Sequence, residues 1–434
     1  MNDSSFLHIF RLELHSPTHI GTISRDERIF VYAQSYLEQS ARFPLSVSLP
    51  IDPAPFPETQ FRPYFEGLLP EATARTALAG SLGIREEDYL SLLEACGKDC
   101  IGDLIVVGSD SRDNADSLKK TIEEEKEGYA PLSDDDMRHI LSSLPAMARQ
   151  NATSSLSLAG AQGKVGLSHL PNCPIDRNWL RPLGFSASSH IIKRGSVEGL
   201  AELEYICMSA ARTCGIPTAT TALLALGGPI VCSERFDRRM SFERGTLAIK
   251  RLHQEDFAQA FGVNPASKYT ELPGGTVHSI ARFLRNESAT PLEDISRFVA
   301  MLCYCYLIGN CDNHLKNVSI SHGAGKTGFR LAPFYDLVST TYYARFSTEM
   351  GMALGGERKI ERIEPEHFLG LADDLELKPN ALKRICRTIA NGLIPAIRTA
   401  ANEVADRFPA APYIADGLEE DCSPRIDVVS RFCL

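Results

Sequence analysis

Hydrophobic and polar positions change rhythm twice along the chain. Up to residue 108, apolar side chains come in short alternating runs such as Phe6-Leu-His-Ile-Phe10 and Arg28-Ile-Phe-Val-Tyr32, broken by Gly and Pro. That pattern predicts a β-rich domain over residues 1–108. Leu49-Pro-Ile-Asp-Pro-Ala-Pro-Phe-Pro57 is expected as extended loop, because each proline fixes φ and removes a donor. Tyr64-Phe-Glu-Gly-Leu-Leu-Pro-Glu71 leads into a helical pattern that reaches Leu93, and Gly102-Asp-Leu-Ile-Val-Val-Gly108 reads as a strand. Residues 109–131 carry Asp, Glu, Lys and Ser with almost no apolar side chains, the composition of a solvated linker. Ser133 is then a helix N-cap with Asp136 three residues on. Between 132 and 250 a strand, His190-Ile-Ile-Lys-Arg194, precedes an amphipathic helix from Leu200 to Arg212. From 251 to 434 the pattern is mainly helical: Phe298 to Gly309 is apolar all round and therefore buried, Ala381 to Val404 is a closing helix, and the tail beyond carries no assigned element.

Composition narrows the possibilities. With 44% hydrophobic and 23% charged residues the chain is globular, and 434 residues exceed one core, so two or three packed subdomains are expected. A formal net charge of −10 argues against a free-standing nucleic-acid binder, which needs a basic face for phosphates. No stretch reaches the ~20 apolar residues that span a bilayer, and no secretory signal is present at the N-terminus, so a cytoplasmic protein without membrane contact is expected. The 12 cysteines lack paired Cys-x-x-Cys spacing; Cys303, Cys305 and Cys311 fall along the buried helix as reduced core thiols.

The chemistry concentrates where that helix ends. Met301-Leu-Cys-Tyr-Cys-Tyr-Leu-Ile-Gly-Asn-Cys-Asp-Asn-His-Leu-Lys-Asn317 runs from apolar side chains into Asp312, His314, Lys316 and Asn317. A second carboxylate, Asp336, follows in Leu331-Ala-Pro-Phe-Tyr-Asp-Leu-Val-Ser339, read as a strand ending in a turn. Two acids and an amide suit a magnesium-phosphate centre. Asp312 and Asn317 stand five apart, the spacing of base and metal ligand in a kinase catalytic loop, and Asp336 suits the second metal ligand. Lys316 between them can neutralise charge on a transferring phosphoryl group. His-Arg-Asp, Asp-Phe-Gly and Ala-Pro-Glu are all absent, which disfavours a eukaryotic-type kinase. Lys193 at the end of its strand, with Glu202 or Glu204 on the following helix, repeats the pair that orients α- and β-phosphates. Cys232-Ser-Glu-Arg-Phe-Asp-Arg-Arg239 is the expected connection between lobes. Ser154-Ser-Leu-Ser-Leu-Ala-Gly-Ala-Gln-Gly-Lys-Val-Gly-Leu167 is a small-residue segment suited to phosphate approach, whereas Gly325-Lys-Thr327 only imitates a Walker ending and reads as a turn.

Taken in order, Tyr64-Phe-Glu-Gly-Leu-Leu-Pro70, Ser157-Leu-Ala-Gly-Ala-Gln-Gly-Lys164, His190-Ile-Ile-Lys193, Glu234-Arg-Phe-Asp-Arg238, Gln254-Glu-Asp256, Gly309-Asn-Cys-Asp-Asn-His-Leu-Lys-Asn317 and Pro333-Phe-Tyr-Asp-Leu337 make the chain resemble, almost end to end, the HipA family of bacterial serine/threonine kinases. These are the toxin halves of HipBA-type toxin–antitoxin modules. The resemblance implies an α+β, HipA-like kinase fold with a β-rich N-terminal domain, a small nucleotide-binding lobe (132–250) and a mainly helical C-terminal lobe (251–434). It implies ATP and Mg²⁺ as cofactors, Asp312 as catalytic base, and Asn317 and Asp336 as metal ligands. Lys193 would be the phosphate lysine, with Lys164 and His314 also on the nucleotide side. Glu234 and Phe236 would meet adenine through their backbone and Asp237 the ribose. Ser157 would be autophosphorylated, with Ser154 and Ser155 ranked below it. The implied partners are a HipB-like antitoxin, DNA only through that antitoxin, and a protein substrate for which aminoacyl-tRNA synthetases are the precedent. One departure is Gly163, where the family commonly has Glu.

Two other classes share part of the pattern. A catalytically silent corepressor would bind ATP without turnover, but has no physical reason to keep Lys193, Asp312, Asn317 and Asp336 together. A small-molecule phosphotransferase would not account for the β-rich head. A hydrolase built on His314 lacks a Gly-x-Ser-x-Gly elbow; that histidine is expected to bond the loop backbone beside Asp312.

Overall fold

The computed structural model describes residues 4–13, 16–125, 128–149, 162–195, 197–243, 246–322 and 328–434. The N-terminal domain is a sheet of β1 (Phe6–Glu13), β2 (Ser16–Ser24), β3 (Ile29–Tyr32), β4 (Phe56–Pro57) and β5 (Leu104–Ser109), in the order β4-β3-β2-β1-β5. Helices α1 (Gln34–Leu37), α2 (Glu58–Glu66), α3 (Ala72–Leu82) and α4 (Tyr89–Cys96) complete it, over a core where Phe30 meets Tyr32, Phe56 and Phe65.

Residues 109–125 and 128–131 carry secondary structure rather than forming a solvated linker. They hold α5 (Ala115–Glu124), whose Ile122 joins a buried cluster with Phe10, Ile105 and Phe185, and β6 (Gly128–Pro131), which pairs with the strand Trp179–Leu183. One apolar stripe with steps of three and four residues, Ala115, Leu118 and Ile122, was enough to seat a helix that composition alone made look soluble.

The small lobe follows: α6 (Asp134–Arg149), β7 (Gln162–His169), β8 (Trp179–Leu183), β9 (His190–Gly195), α7 (Leu200–Thr213), β10 (Thr221–Ala225) and β11 (Pro229–Glu234), then a hairpin of β12 (Arg238–Glu243) and β13 (Thr246–Arg251). Its sheet runs β10-β11-β9-β7-β8-β6, with β9 interior. The expected cap forms: the Asp136 amide donates to Ser133 Oγ at 3.1 Å, and the Ser133 amide to Asp136 Oδ2 at 2.9 Å. Gly163 lies on β7 under α6, where an added Cβ would sit 2.3 Å from the Leu144 carbonyl oxygen. Glycine at that position therefore lets helix and sheet close together; a glutamate would push them apart.

The large lobe begins with β14 (Gln254–Asp256) and α8 (Phe257–Ala260), followed by α9 (Thr276–Glu287), α10 (Pro291–Ile308), β15 (Ser319–His322), β16 (Phe329–Leu331), β17 (Glu349–Leu354), β18 (Glu357–Lys359), α11 (Pro365–Asp374), α12 (Pro379–Val404) and α13 (Ala411–Cys433). β14, β15 and β16 form a small sheet and β17 pairs with β18. The predicted buried helix is α10, with Pro at its first position and Phe298 to Ile308 in the main core except for half-buried Ala300. The predicted closing helix is α12. The tail forms α13, which the three residues Pro412, Pro424 and Gly417 hide from a propensity reading. The strand expected over 331–339 ends at Leu331, because Pro333 cannot continue a ladder. No helix among the described residues is long and apolar enough to cross a membrane.

The N-terminal domain docks on both lobes through buried polar groups. Asp99 and Asp237 are set among Arg235, Arg238 and Arg251: Arg238 Nη2 lies 3.0 Å from Asp99 Oδ1, Arg235 Nη2 2.8 Å from Asp237 Oδ2, and Arg251 Nη2 3.5 Å from Asp99 Oδ1. Burial would raise the Asp99 pKa, but the three guanidinium groups hold it well below the usual range. On the other side, Gln254-Glu-Asp256 is a docking sequence. Glu255, fully buried, accepts from the Ser46 hydroxyl and the Val47 amide, while His253 Nδ1 lies 2.7 Å from Asp103 Oδ1. Burial pushes the Glu255 carboxyl up to about 8. The folded state thus holds a proton that the unfolded chain releases near its ordinary carboxylate pKa, so Glu255 disfavours folding progressively as pH rises between those values. Relative to Glu255→Gln, the wild type should lose stability between about pH 5 and pH 8 in urea titrations; curves that stay parallel across that range would mean that residue 255 is ionised throughout.

Candidate active site

Three segments meet at the seam between the lobes. On β9, Lys193 is 5% exposed, and its ammonium lies 2.7 Å from Oε1 of Glu204, which is 1% exposed on α7. The alternatives left open by the sequence resolve in favour of Glu204; Glu202 Oε2 is buried without a hydrogen-bond partner among the described residues. Burial lowers the Lys193 pKa, Glu204 opposes that, and a second cation, Lys164, adds to the lowering. Lys164 is the register partner of Lys193 across β7 and β9, which puts both side chains on one face of the sheet. Both approach Asp336 of the large lobe: Lys193 donates to Oδ1, and Lys164 Nζ is 3.6 Å from Oδ2. Asp336 takes φ of 54°, a left-handed backbone that Asp tolerates better than most residues and that lifts its carboxylate out of the extended segment.

The loop after α10 is stitched to the backbone of Asp336. Gly309 ends the helix at φ of 71°, where a Cβ would also strike the Thr341 hydroxyl. Asn310 is the link the sequence reading missed: its Oδ1 accepts from the Asp312 amide at 3.1 Å and its Nδ2 donates to the Asp336 carbonyl at 3.4 Å. Thr340 Oγ1 accepts from the Cys311 amide at 2.9 Å. Asn317 Nδ2 donates to the Asp312 carbonyl at 2.8 Å, which commits its nitrogen and leaves its carbonyl oxygen as the donor for a hard cation. Asp312 Oδ1 accepts from the phenol of Tyr269, a contact across 43 residues that no local signal announces.

Other expected residues lie elsewhere. Lys316 is clamped by Asp256 at 2.8 Å, Glu71 at 3.5 Å and the Gly67 carbonyl at 3.2 Å. Burial alone would lower its pKa, but the two carboxylates raise it; the side chain is a fixed strut to the N-terminal domain rather than a cation facing the phosphoryl path. Asp237 is a correction: both its oxygens are taken by Arg235, Arg238 and the Gly102 amide, so it does not face a ribose. The Glu234 amide donates to the Thr220 carbonyl at 2.8 Å, which leaves its carbonyl as the backbone group for an adenine edge. Phe236 stays at the seam, its ring stacked on Tyr335. His314 is 3% exposed, and burial and the nearby Lys268 and Lys316 lower its pKa well below the usual imidazole range, with a backbone hydrogen bond opposing them. Ser154, Ser155, Ser157 and Gly325-Lys-Thr327 lie outside the described residues.

Kinase-type phosphotransferases hold a nucleotide between two lobes in this way, with a strand lysine on the phosphates and an Asp/Asn loop opposite. Within that class the chain belongs to the HipA family. Residues 14–107 match the HipA N-terminal domain and residues 156–397 the HipA-like C-terminal domain. A Sinorhizobium fredii protein provisionally named a kinase is 30% identical over 386 residues, 87% of this chain and 88% of its own. The serine/threonine-protein kinase toxin HipA of Shewanella oneidensis is 27% identical over 408 residues, 89% of each chain. In fold, the chain is similar to one in the Shewanella oneidensis toxin–antitoxin complex of HipA, HipB and its operator DNA, with a TM-score of 0.81, 23% identity, and coverage of 98% of this chain and 99% of that one.

Lys193→Met should destabilise the protein by about 3 kcal/mol, because it strands Glu204 in the interior. Adding Glu204→Leu should recover most of that loss in a denaturant double-mutant cycle, and a single-variant cost below about 1 kcal/mol would show that the pair contributes little.

Proposed function

We propose that the chain is an ATP- and Mg²⁺-dependent serine/threonine protein kinase of the toxin type. A HipB-like antitoxin restrains it and supplies any contact with DNA, its target is a cellular protein of the aminoacyl-tRNA synthetase kind, and it phosphorylates itself at Ser157. The observation that carries this reading is the joining of the two halves of the site: Lys193 bridges Glu204 and Asp336 across the seam, while Asn310 ties the Asp312 loop to the Asp336 backbone.

In this reading Lys193 and Lys164 bind the nucleotide phosphates, which replace Asp336 as their counter-ions. Asp312 accepts the proton of the attacking hydroxyl, and Asn310 fixes where that carboxylate sits. Asp336 and the Asn317 carbonyl oxygen would hold Mg²⁺, which when bound neutralises charge on the phosphates. The donors fit that ion: a carboxylate and an amide oxygen are hard oxygen ligands, the Asn317 nitrogen being committed to the Asp312 carbonyl, and Mg²⁺ in nucleotide sites is held by one or two carboxylates with phosphate and water supplying the rest. The likeness to a relative named as a serine/threonine-protein kinase toxin supports the serine/threonine and toxin parts of this reading.

Incubated with radiolabelled ATP and Mg²⁺, the wild type should incorporate phosphate. Asp312→Asn should fall by about 100-fold or more while still binding ATP, the scale of a lost general base. Equal labelling of the two proteins would remove Asp312 from the role of base, and mass spectrometry that finds phosphate only at sites other than Ser157 would refute self-modification there.

A further inference from the structure

The segment from Gly262 to Gly275 runs as a strap between the N-terminal domain and the catalytic loop, anchored to the core by Val263 and Leu272 but not accounted for at its middle by either the core or the nucleotide side of the site. Lys268 Nζ lies 2.5 Å from Glu71 Oε2, on the far side of the domain junction. The Tyr269 carbonyl accepts from Arg358 Nη1 at 2.8 Å, and the Tyr269 ring stands edge-on to His314, with centroids 4.9 Å apart and planes at 79°. Together these contacts aim the phenol at Asp312, and it donates to Oδ1.

A general base works only within hydrogen-bond reach of the proton it removes. At Asp312 Oδ1 that reach is already filled by a hydroxyl belonging to the protein itself. Resting on the reading of Asp312 as the base, we propose that Tyr269 is an internal stand-in for the acceptor hydroxyl. It plugs the acceptor position until an incoming serine or threonine displaces it.

The strap is built to be displaced. Its ends are pinned by Val263, Pro265 and Leu272 against the core, while the middle, with Tyr269 and Lys268 only partly buried, is held by polar contacts. Its ends carry glycines in the left-handed region, at φ of 65° for Gly262, 80° for Gly274 and 102° for Gly275. A Cβ at Gly274 would meet nothing within 4 Å, so that glycine supplies backbone freedom rather than room. Such end positions absorb the dihedral change when a loop opens. The Lys268–Glu71 pair also places part of the latch on the N-terminal domain, which makes that domain a participant in acceptor access.

Tyr269→Phe removes the competing hydroxyl and keeps the ring on His314. The test compares wild type, Tyr269→Phe and Lys268→Gln in the full chain, with ATP hydrolysis to water and phosphorylation of myelin basic protein as generic acceptor reactions. Both variants should raise the Asp312-dependent rate, or lower the KM for the protein acceptor, by about tenfold or more, the scale of one hydrogen bond to a charged group; the KM for ATP should not move. Lys268→Gln carries the test if Tyr269→Phe does not fold. A rate that falls or stays level would overturn the plug and make Tyr269 a residue that positions the base. Phosphotyrosine at 269 would overturn it as well, because the phenol would then be a substrate. If every protein binds ATP but none shows Asp312-dependent turnover, the catalytic reading itself has failed and the plug falls with it.

Discussion

One buried ammonium organises the seam. Lys193 sits in an interior strand, where burial works against its charge, and it remains there because Glu204 and Asp336 flank it from two different elements. Glu204, equally buried, could not occupy that environment alone without a comparable penalty. The arrangement therefore couples the sheet of the small lobe, helix α7 and the segment after β16 in a way that apolar packing, which is non-directional, would not. Asp336 accepts an unusual backbone conformation to reach the lysine, and Asn310 transmits its position to Asp312.

The second constraint is the docking of the N-terminal domain. Asp99 and Asp103 reach into the rest of the molecule, and Arg235, Arg238, Arg251 and His253 meet them. Burial brings the Arg238 guanidinium down to about 10, with Arg235 adding to the effect and Asp237 and Asp99 opposing it. Charges spent in this way are not available for ligand chemistry. Two stretches that look functional in sequence, Glu234-Arg-Phe-Asp-Arg238 and Gln254-Glu-Asp256, turn out to be largely joinery, while Glu71 and Gly67 of the head reach Lys316 in the catalytic loop.

Periodicity made much of the architecture legible. Helices α7, α10 and α12 and strands β1, β3, β5 and β9 follow from apolar spacing, and the Ser133 cap from a local pattern. The charged α5 and the proline-bearing α13 were hidden because composition and propensity are weak where a thin apolar stripe docks on an existing core. In the site, the Asp312, Asn317 and Asp336 loops could be read because they are short and their chemistry is dense. What could not be read depends on contacts between distant segments: the choice of Glu204 over Glu202, the bridging by Asn310, the withdrawal of Asp237 and Lys316 into ion pairs, and the arrival of Tyr269. Each is decided by where a side chain finds a partner, and spacing along the chain carries no information about that.

Sequence families divide the molecule in two, yet its interior does not respect the division. A fragment that began after residue 131 would lose Asp99, the Cys100 and Gly102 carbonyls, and Ser46 at one stroke. Arg235, Arg238 and Arg251 would then face water as an open cationic patch beside an uncovered apolar floor. Such a piece would adhere to polyanions on electrostatic grounds alone, and affinity for nucleic acid seen in it would report on the severed joint rather than on the intact protein.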